Sequence, residues 1–155
     1  MPIRTFQQLK HEATWLGPKR VVIAAAANAE VLAAAREAQS LHMAHCLLVD
    51  DPERLARVAG EHDIDIADMT VIAEADRDAA AHRACAMVRA GDGDVVMKGS
   101  LETAEFMRAA LDRDNGLRTG RLFTHVAVFE IPGFNRLLLI TDAGVVIAPD
   151  IHEKV

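Results

Sequence analysis

Tyrosine is absent from this 155-residue chain, and aromatic residues together make up only 4%. Single-stranded nucleic acid is gripped by stacking bases on aromatic side chains, so little is available here to build such a platform. The charge balance points the same way. Lys and Arg number 17 against 23 Asp and Glu, giving a formal net charge of −6, whereas a phosphate backbone demands a basic face. No apolar run approaches the roughly eighteen residues of a membrane span. Met1 to Pro18 carries Lys10, His11 and Glu12 and has no apolar signal core. The expectation is a soluble, cytoplasmic protein with neither a nucleic-acid nor a membrane partner. The only two cysteines, Cys46 and Cys85, form no Cys-x-x-Cys pair and read as buried, inert thiols of a reducing compartment.

Several catalytic signatures are missing as well. There is no Gly-x-Ser-x-Gly elbow for a serine hydrolase. Gly91, Gly93 and Gly99 suggest a nucleotide loop, but the order is Lys98-Gly99-Ser100 and not Gly-Lys-Ser/Thr. His42 and His45 straddle a helix end and a strand, with no acidic or cysteine cluster to complete a metal site. Asp63, Asp65 and Asp68 lack the glycine and closing glutamate of a calcium loop and read as a solvated turn. No metal is expected.

What is present is an alternation of short apolar runs and helical patterns. Apolar residues make up 51% of the chain, ample for a core. After a helical segment over Thr5 to Leu16 and a Gly17-Pro18 break, Lys19–Ala25 reads as a buried strand. Asn28 opens a helix along Val31, Leu32, Ala35, Ala38 and Leu41. Cys46–Val49 and Met69–Ile72 read as further strands. Asp51-Pro52 is a strong helix start, with the cap followed by proline at the first helical position, and Asp76 opens a helix to about Ala90. Thr124–Ile131 and Arg136–Asp142, joined around Pro132-Gly133, read as a β-hairpin. The fold expected is a single α/β domain over 1–155, three-layered α/β/α, with a mostly parallel but mixed sheet.

The stretch from Asp94 to Asp150 carries the chemistry. Asp94–Met97 suits a buried strand, and Lys98-Gly99-Ser100 turns into a helix for which Ser100 is placed as cap. Glu102 falls in its first turn, and Ala104, Met107 and Leu111 recur at helical spacing. A glycine turn before a helix start leaves backbone N–H groups that suit a phosphate; Gly99 lets the backbone come close and Lys98 adds charge. Beyond the Asn115-Gly116 turn, Arg118 and Arg121 flank Gly120, with Arg108 on the preceding helix. Guanidinium forks match phosphate oxygens in pairs, although each Arg could equally pair with Glu105, Asp112 or Asp114 on a solvated face. His125 and Asp142 sit at the ends of the two hairpin strands. There they could face a ligand, or serve only as a backbone hydrogen bond and a turn cap.

These residues carry a resemblance. The lysine-glycine turn, TA-x-F-x-RA, LRTGR, HVAVFE, RLLL-x-TDA and the late Pro149-Asp150 make the last sixty or so residues similar to the N-terminal half of the phosphate acetyl/butyryl transferase family, nearer its butyryl branch. The resemblance implies one domain of an isocitrate/isopropylmalate dehydrogenase-like two-domain fold. It implies an enzyme acting on acyl phosphate and coenzyme A, the latter as substrate and not as a permanently bound cofactor. It also implies phosphate or coenzyme A contacts at Thr103, Arg108, Arg118 and Arg121, beside Lys98, Gly99 and Ser100 of the turn read above, and catalytic roles at His125 and Asp142. The family's catalytic serine, arginine and aspartate lie in a C-terminal half that this chain does not contain. Pro149–Glu153 reads as a capped helix start, yet Val155 follows after about one turn. The sequence therefore reads as interrupted, inactive alone, and prone to self-associate through the apolar segment Gly144–Pro149. The alternative is a non-catalytic phosphate- or nucleotide-binding module, or a half-enzyme that needs a partner.

Overall fold

The computed structural model describes residues 2–142 and 144–145. Where the sequence reads as one domain, the chain divides into two compact units: Leu16–Arg118, and a second made from Met1–Trp15 with Thr119–Val155.

The first unit is the α/β body. Strand β1 (Lys19–Ala24) leads through α2 (Ala29–Ser40, following α1 of the other unit) to β2 (Ala44–Asp50). Helix α3 (Pro52–Glu61), strand β3 (Thr70–Ala73), α4 (Arg77–Ala90), β4 (Val95–Lys98) and α5 (Thr103–Ala110) complete it. The four strands form one sheet in the order β3-β2-β1-β4, every pair parallel.

Side-chain alternation along the central strands explains the layering. Val22, Ala24 and Val49 point to one face and pack with Ala80, Ala81, Ala84 and Cys85 of α4 and Ala109 and Ala110 of α5. Ile23, Cys46 and Leu48 point to the other, against Leu32 and Ala35 of α2 and Leu55 and Ala59 of α3. Ile23, Leu32 and Leu48 are fully buried, which stabilises by about 1.5–3 kcal/mol each. Alanines on the inner side of α4 let that helix lie close to the sheet.

The helix starts follow local chemistry. The side chains of Asn28, Asp51 and Asp76 accept backbone N–H groups in the first turns of α2, α3 and α4, each worth about 1 kcal/mol.

The second unit contains α1 (Phe6–Trp15) and an antiparallel hairpin of β5 (Ala127–Glu130) and β6 (Leu137–Ile140). The Phe6 N–H donates to Glu130 at 2.6 Å. None of the unit's described residues is buried.

Two expectations need correction. The antiparallel pair is real but forms its own two-stranded sheet, so among the described residues the larger sheet is purely parallel and not mixed. Strand β4, expected to be buried, is an edge strand with Val95 46% exposed, because only β1 flanks it. Both thiols are free and buried, as expected. Burial raises both above the ordinary range, Cys85 to about 11. No helix among the described residues is long and apolar enough to cross a membrane.

At the amino-terminal edge of the sheet, Arg20 clasps Asp94. Its Nη2 lies 2.8 Å from Oδ1 and its Nε 3.2 Å from Oδ2, while the Arg20 N–H also donates to Oδ2 at 2.8 Å. The guanidinium hydrogen bond, followed by the backbone one, lowers the Asp94 pKa to about 2. An unfolded Asp titrates near 3.9, so this stabilisation is complete above that value and is lost as the pH falls toward 2. Urea midpoints recorded from about pH 5 to pH 2 should fall more steeply for the wild type than for Asp94→Asn. Parallel curves would remove this pair from the acid response.

Candidate functional site

The strand order reverses between β1 and β4. The chain leaves β1 toward β2 and β3, then crosses back through α4 to β4 on the opposite side of β1. The segments that follow β1 and β4 thus diverge from neighbouring strand ends, the position at which open α/β sheets receive ligands. Lys98, Gly99 and Ser100 lie there, alongside Ala24 and Ala25 at the end of β1.

The backbone of this turn is more committed than its sequence suggests. Gly99 N–H donates to Ala24 O and Ser100 N–H to Ala25 O, both at 2.8 Å, and Leu101 N–H donates to Gly99 O at 2.9 Å. The amides expected to be open to an anion are therefore spoken for by the end of β1. Gly99 does permit a close approach, but of the protein's own backbone: a Cβ there would overlap the carbonyl oxygens of Ala24 and Ala25. Nor is Ser100 the helix cap. That position belongs to Glu102, whose N–H donates to the Glu105 carboxylate at 3.0 Å. Helix α5 starts later because Gly99 and Ser100 first extend the hydrogen bonding alongside β1.

What remains for a ligand is side-chain chemistry at the head of α5. The Ser100 and Thr103 hydroxyls have no hydrogen-bond partner among the described residues. Lys98 Nζ donates one bond to Leu101 O at 2.6 Å, leaving two of its donors. The amides of Thr103 and Ala104 open the helix, whose dipole favours negative charge.

The opposing segment is held by a residue that sequence reasoning left without a role. Asp50, at the end of β2, is 2% exposed and is the buried charged residue of the described core. Its Oδ2 accepts Ala27 N–H at 2.8 Å, and its Oδ1 accepts Asp51 N–H at 2.7 Å and lies 3.1 Å from Arg54 Nη1. Arg54 Nη2 also donates to Ala75 O at 3.0 Å. Ala25 is left in the left-handed region at φ +52°, which costs a non-glycine residue about 1–2 kcal/mol. The available signal was a carboxylate closing an apolar strand, with Arg four positions later.

The arginines divide. Arg108 on α5 reaches Asp78 on α4 at 3.4 Å, an exposed pair worth about 0–1 kcal/mol and readily released. Arg118 is exposed and makes no hydrogen bond or ion pair among the described residues. The chain just before it is fixed: Leu117 N–H donates to Ala110 O at 2.7 Å, Arg89 to Gly116 O at 2.9 Å, and Asp112 accepts the amides of Asn115 and Asp114. Those amides also lower the Asp112 pKa.

In the second unit Arg121 is likewise exposed and unpaired among the described residues. His125 and Asp142 meet, but through the backbone: His125 N–H donates to Asp142 Oδ2 at 2.9 Å. Asp142 Oδ1 accepts Gly144 and Val145 N–H, both at 2.8 Å. This is the turn-capping alternative; the carboxylate ties the two ends of the hairpin together. A concavity of about 520 Å³ lies along Arg4, Phe6, Glu130 and Phe134, and none of the expected ligand-binding residues lines it. Among the described residues no three His, Cys, Asp or Glu side chains gather as a metal would require.

Gly99→Ala should destabilise the fold by about 1–3 kcal/mol through overpacking against rigid carbonyls, measured by urea denaturation without ligand. Unchanged stability would mean that Gly99 answers to a ligand and not to β1.

A family model described as phosphate acetyl/butaryl transferase matches residues 76–155. The chain is 35% identical over 152 residues to a phosphate butyryltransferase of Clostridium beijerinckii, covering 98% of this chain and 50% of that protein. It is 35% identical over 137 residues to a phosphate acetyltransferase of Rhizobium meliloti, covering 88% and 43%. The chain thus spans about half the length of the curated relatives it matches. Among solved structures, a branched-chain phosphotransacylase from Enterococcus faecalis V583 superposes with a TM-score of 0.65 at 21% identity, covering 88% of this chain and 46% of that one. A phosphotransacetylase from Staphylococcus aureus gives 0.68 at 16% identity, covering 94% and 52%. These structural likenesses speak for the fold alone, while the family match spans just over half of the sequence, and on it the chain belongs to the phosphate acetyl/butaryl transferase family.

Proposed function

We propose that the chain supplies part of the phosphate- and coenzyme-A-binding cleft of a phosphate acyltransferase, converting acetyl or butyryl phosphate and coenzyme A to acyl-CoA and phosphate. The observation that carries this reading is the placement of Lys98, Ser100 and Thr103 together at the strand-order reversal, with side-chain donors uncommitted there. In the wider protein the α/β body would be one domain of an isocitrate/isopropylmalate dehydrogenase-like pair, with this chain as the N-terminal half.

The reaction needs three things. A base must take the proton of the thiol, whose free pKa is roughly 8.5. Donors must stabilise the tetrahedral oxyanion as sulfur attacks the carbonyl. Cations must hold the departing phosphate. In the α/β body Lys98 and Arg118 serve the third requirement, with Ser100 and Thr103 donating hydroxyl hydrogen bonds and Gly99 keeping the turn tight; in the other unit Arg121 offers the same chemistry. Arg108 joins them when a ligand phosphate outcompetes Asp78. His125, whose ring has no partner among the described residues, is the proton-accepting candidate, and Asp142 fixes its backbone. Coenzyme A is a substrate in this scheme, and no resident cofactor enters it. Since the chain spans half the length of its curated relatives, the second reading is a ligand-binding module or partner-dependent half-enzyme.

Calorimetry with coenzyme A separates site from scaffold. Arg118→Ala with Arg121→Ala should abolish most binding yet shift stability by no more than about 0.5 kcal/mol per exposed substitution. Equal affinity with both changes present would sink the assignment. By itself the 155-residue chain should form little or no acyl-CoA from acyl phosphate, and robust turnover would reject the half-enzyme reading.

Self-association belongs to the same proposal. The hairpin exposes Phe129 and Leu138 on one face and Leu139 on the other, and Phe123, Val126 and Phe134 of the same unit are exposed as well; a second copy would cover part of this apolar surface. Of the segment Gly144–Pro149, expected to form the contact, only Gly144 and Val145 lie within the described residues. Light scattering should give a dimer or larger species at micromolar concentration, and a clean monomer would contradict it.

A further inference from the structure

We infer that Asp50, braced by Arg54, is a positioning residue for the Lys98-Gly99-Ser100 turn, acting through the end of β1. The inference rests on the reading of that turn as a phosphate-ligand site. Asp50 neither belongs to the turn nor is aimed at a ligand; all its described contacts are internal.

The connection runs through short hydrogen bonds. Asp50 Oδ2 holds the Ala27 amide at 2.8 Å, and Val49 O, one residue before, accepts Ala25 N–H at 2.9 Å. Residues 25–27 are thus pinned at both ends to the tip of β2, which keeps Ala25 at φ +52°. In that conformation the carbonyls of Ala24 and Ala25 receive the amides of Gly99 and Ser100 at 2.8 Å. Those two bonds set where β4 ends and where the Lys98 and Ser100 side chains begin. Arg54 completes the brace: it pairs with Asp50 and also holds Ala75 O, after β3, at 3.0 Å. One buried carboxylate therefore ties together the segments following β1, β2 and β3 and, one step removed, the turn following β4.

A buried carboxylate is a costly way to gain stability, because breaking such a pair leaves an unpaired buried group and replacing it with apolar residues is often neutral. Position is what it supplies here. A strained residue such as Ala25 persists only where surrounding bonds over-determine it.

The test uses the 155-residue chain with Asp50→Asn, which keeps the shape but replaces one accepting oxygen with a donor. Leu55→Ala is the comparison, since it opens a cavity under α3 without touching the carboxylate. Amide hydrogen exchange at Ala27, Gly99 and Ser100 is read against Leu48 in mid-strand, and coenzyme A affinity by calorimetry at a temperature where all variants are folded. Asp50→Asn should accelerate exchange at Gly99 and Ser100 selectively and weaken coenzyme A about tenfold, the equivalent of one hydrogen bond to a charged group. Leu55→Ala should do neither. If Asp50→Asn does not fold, Arg54→Met should reproduce the selective exchange and Arg54→Lys should reverse it in part. Unchanged exchange at Gly99 and Ser100 in Asp50→Asn, or in Arg54→Met, overturns the proposal. So does an equal affinity loss in Leu55→Ala. Wild type that binds no coenzyme A overturns the phosphate-site reading instead, and the exchange comparison then still decides whether Asp50 governs the turn.

Discussion

Two hydrogen bonds between strand ends, Gly99 to Ala24 and Ser100 to Ala25, are the contact on which the proposed ligand site depends. They join the tip of an edge strand to the tip of a central one at the point where the strand order reverses. Their cost is that two amides otherwise suited to an anion are consumed. Their return is a rigid platform, from which one lysine and two hydroxyls project at the head of α5. A glycine is required at 99 because the contact is backbone to backbone with no room for a Cβ. The phosphate chemistry proposed here is therefore a matter of side chains on a fixed turn. It differs in kind from loops that wrap phosphates in bare N–H groups.

The two units stand in contrast energetically. The α/β body has apolar clusters on both faces of its sheet and well-capped helices, so its local and tertiary preferences agree. The other unit is a ten-residue helix and a two-stranded hairpin with none of its described residues buried. A lone hairpin is marginal in water, so that unit draws little stability from its own packing.

Much of the α/β body was legible in the sequence because its signals are local. Asn28, Asp51 with Pro52, and Asp76 marked three helix starts, and the short apolar runs marked the strands to within a few residues. Ser100 misled because a hydroxyl before an apolar-periodic run reads as a cap. The pairing with β1, which delays α5 to Thr103, lies far away in sequence. The same non-locality hid the edge position of β4 and the separate sheet of the hairpin. Asp50 was passed over because Asp51 beside it explained the helix start completely; its role needs Ala27, which only the parallel register brings near. Arg118 and Arg121 are exposed and, among the described residues, make none of the ion pairs with Glu105, Asp112 or Asp114 that the surface alternative offered, which leaves their phosphate role a proposal. Arg108 follows the ion-pairing alternative, with Asp78 and not the nearer carboxylates.

The central claim is that the reversal between β1 and β4 receives the phosphate-bearing substrate. Titrating the isotope-labelled chain with coenzyme A while following backbone amide resonances tests it most directly. The account predicts saturable shifts concentrated at residues 98–104 and 25–28, with the amino-terminal edge around Arg20 and Asp94 unmoved. Shifts confined to that opposite edge, or none near Lys98 and Ser100 at saturation, would contradict it.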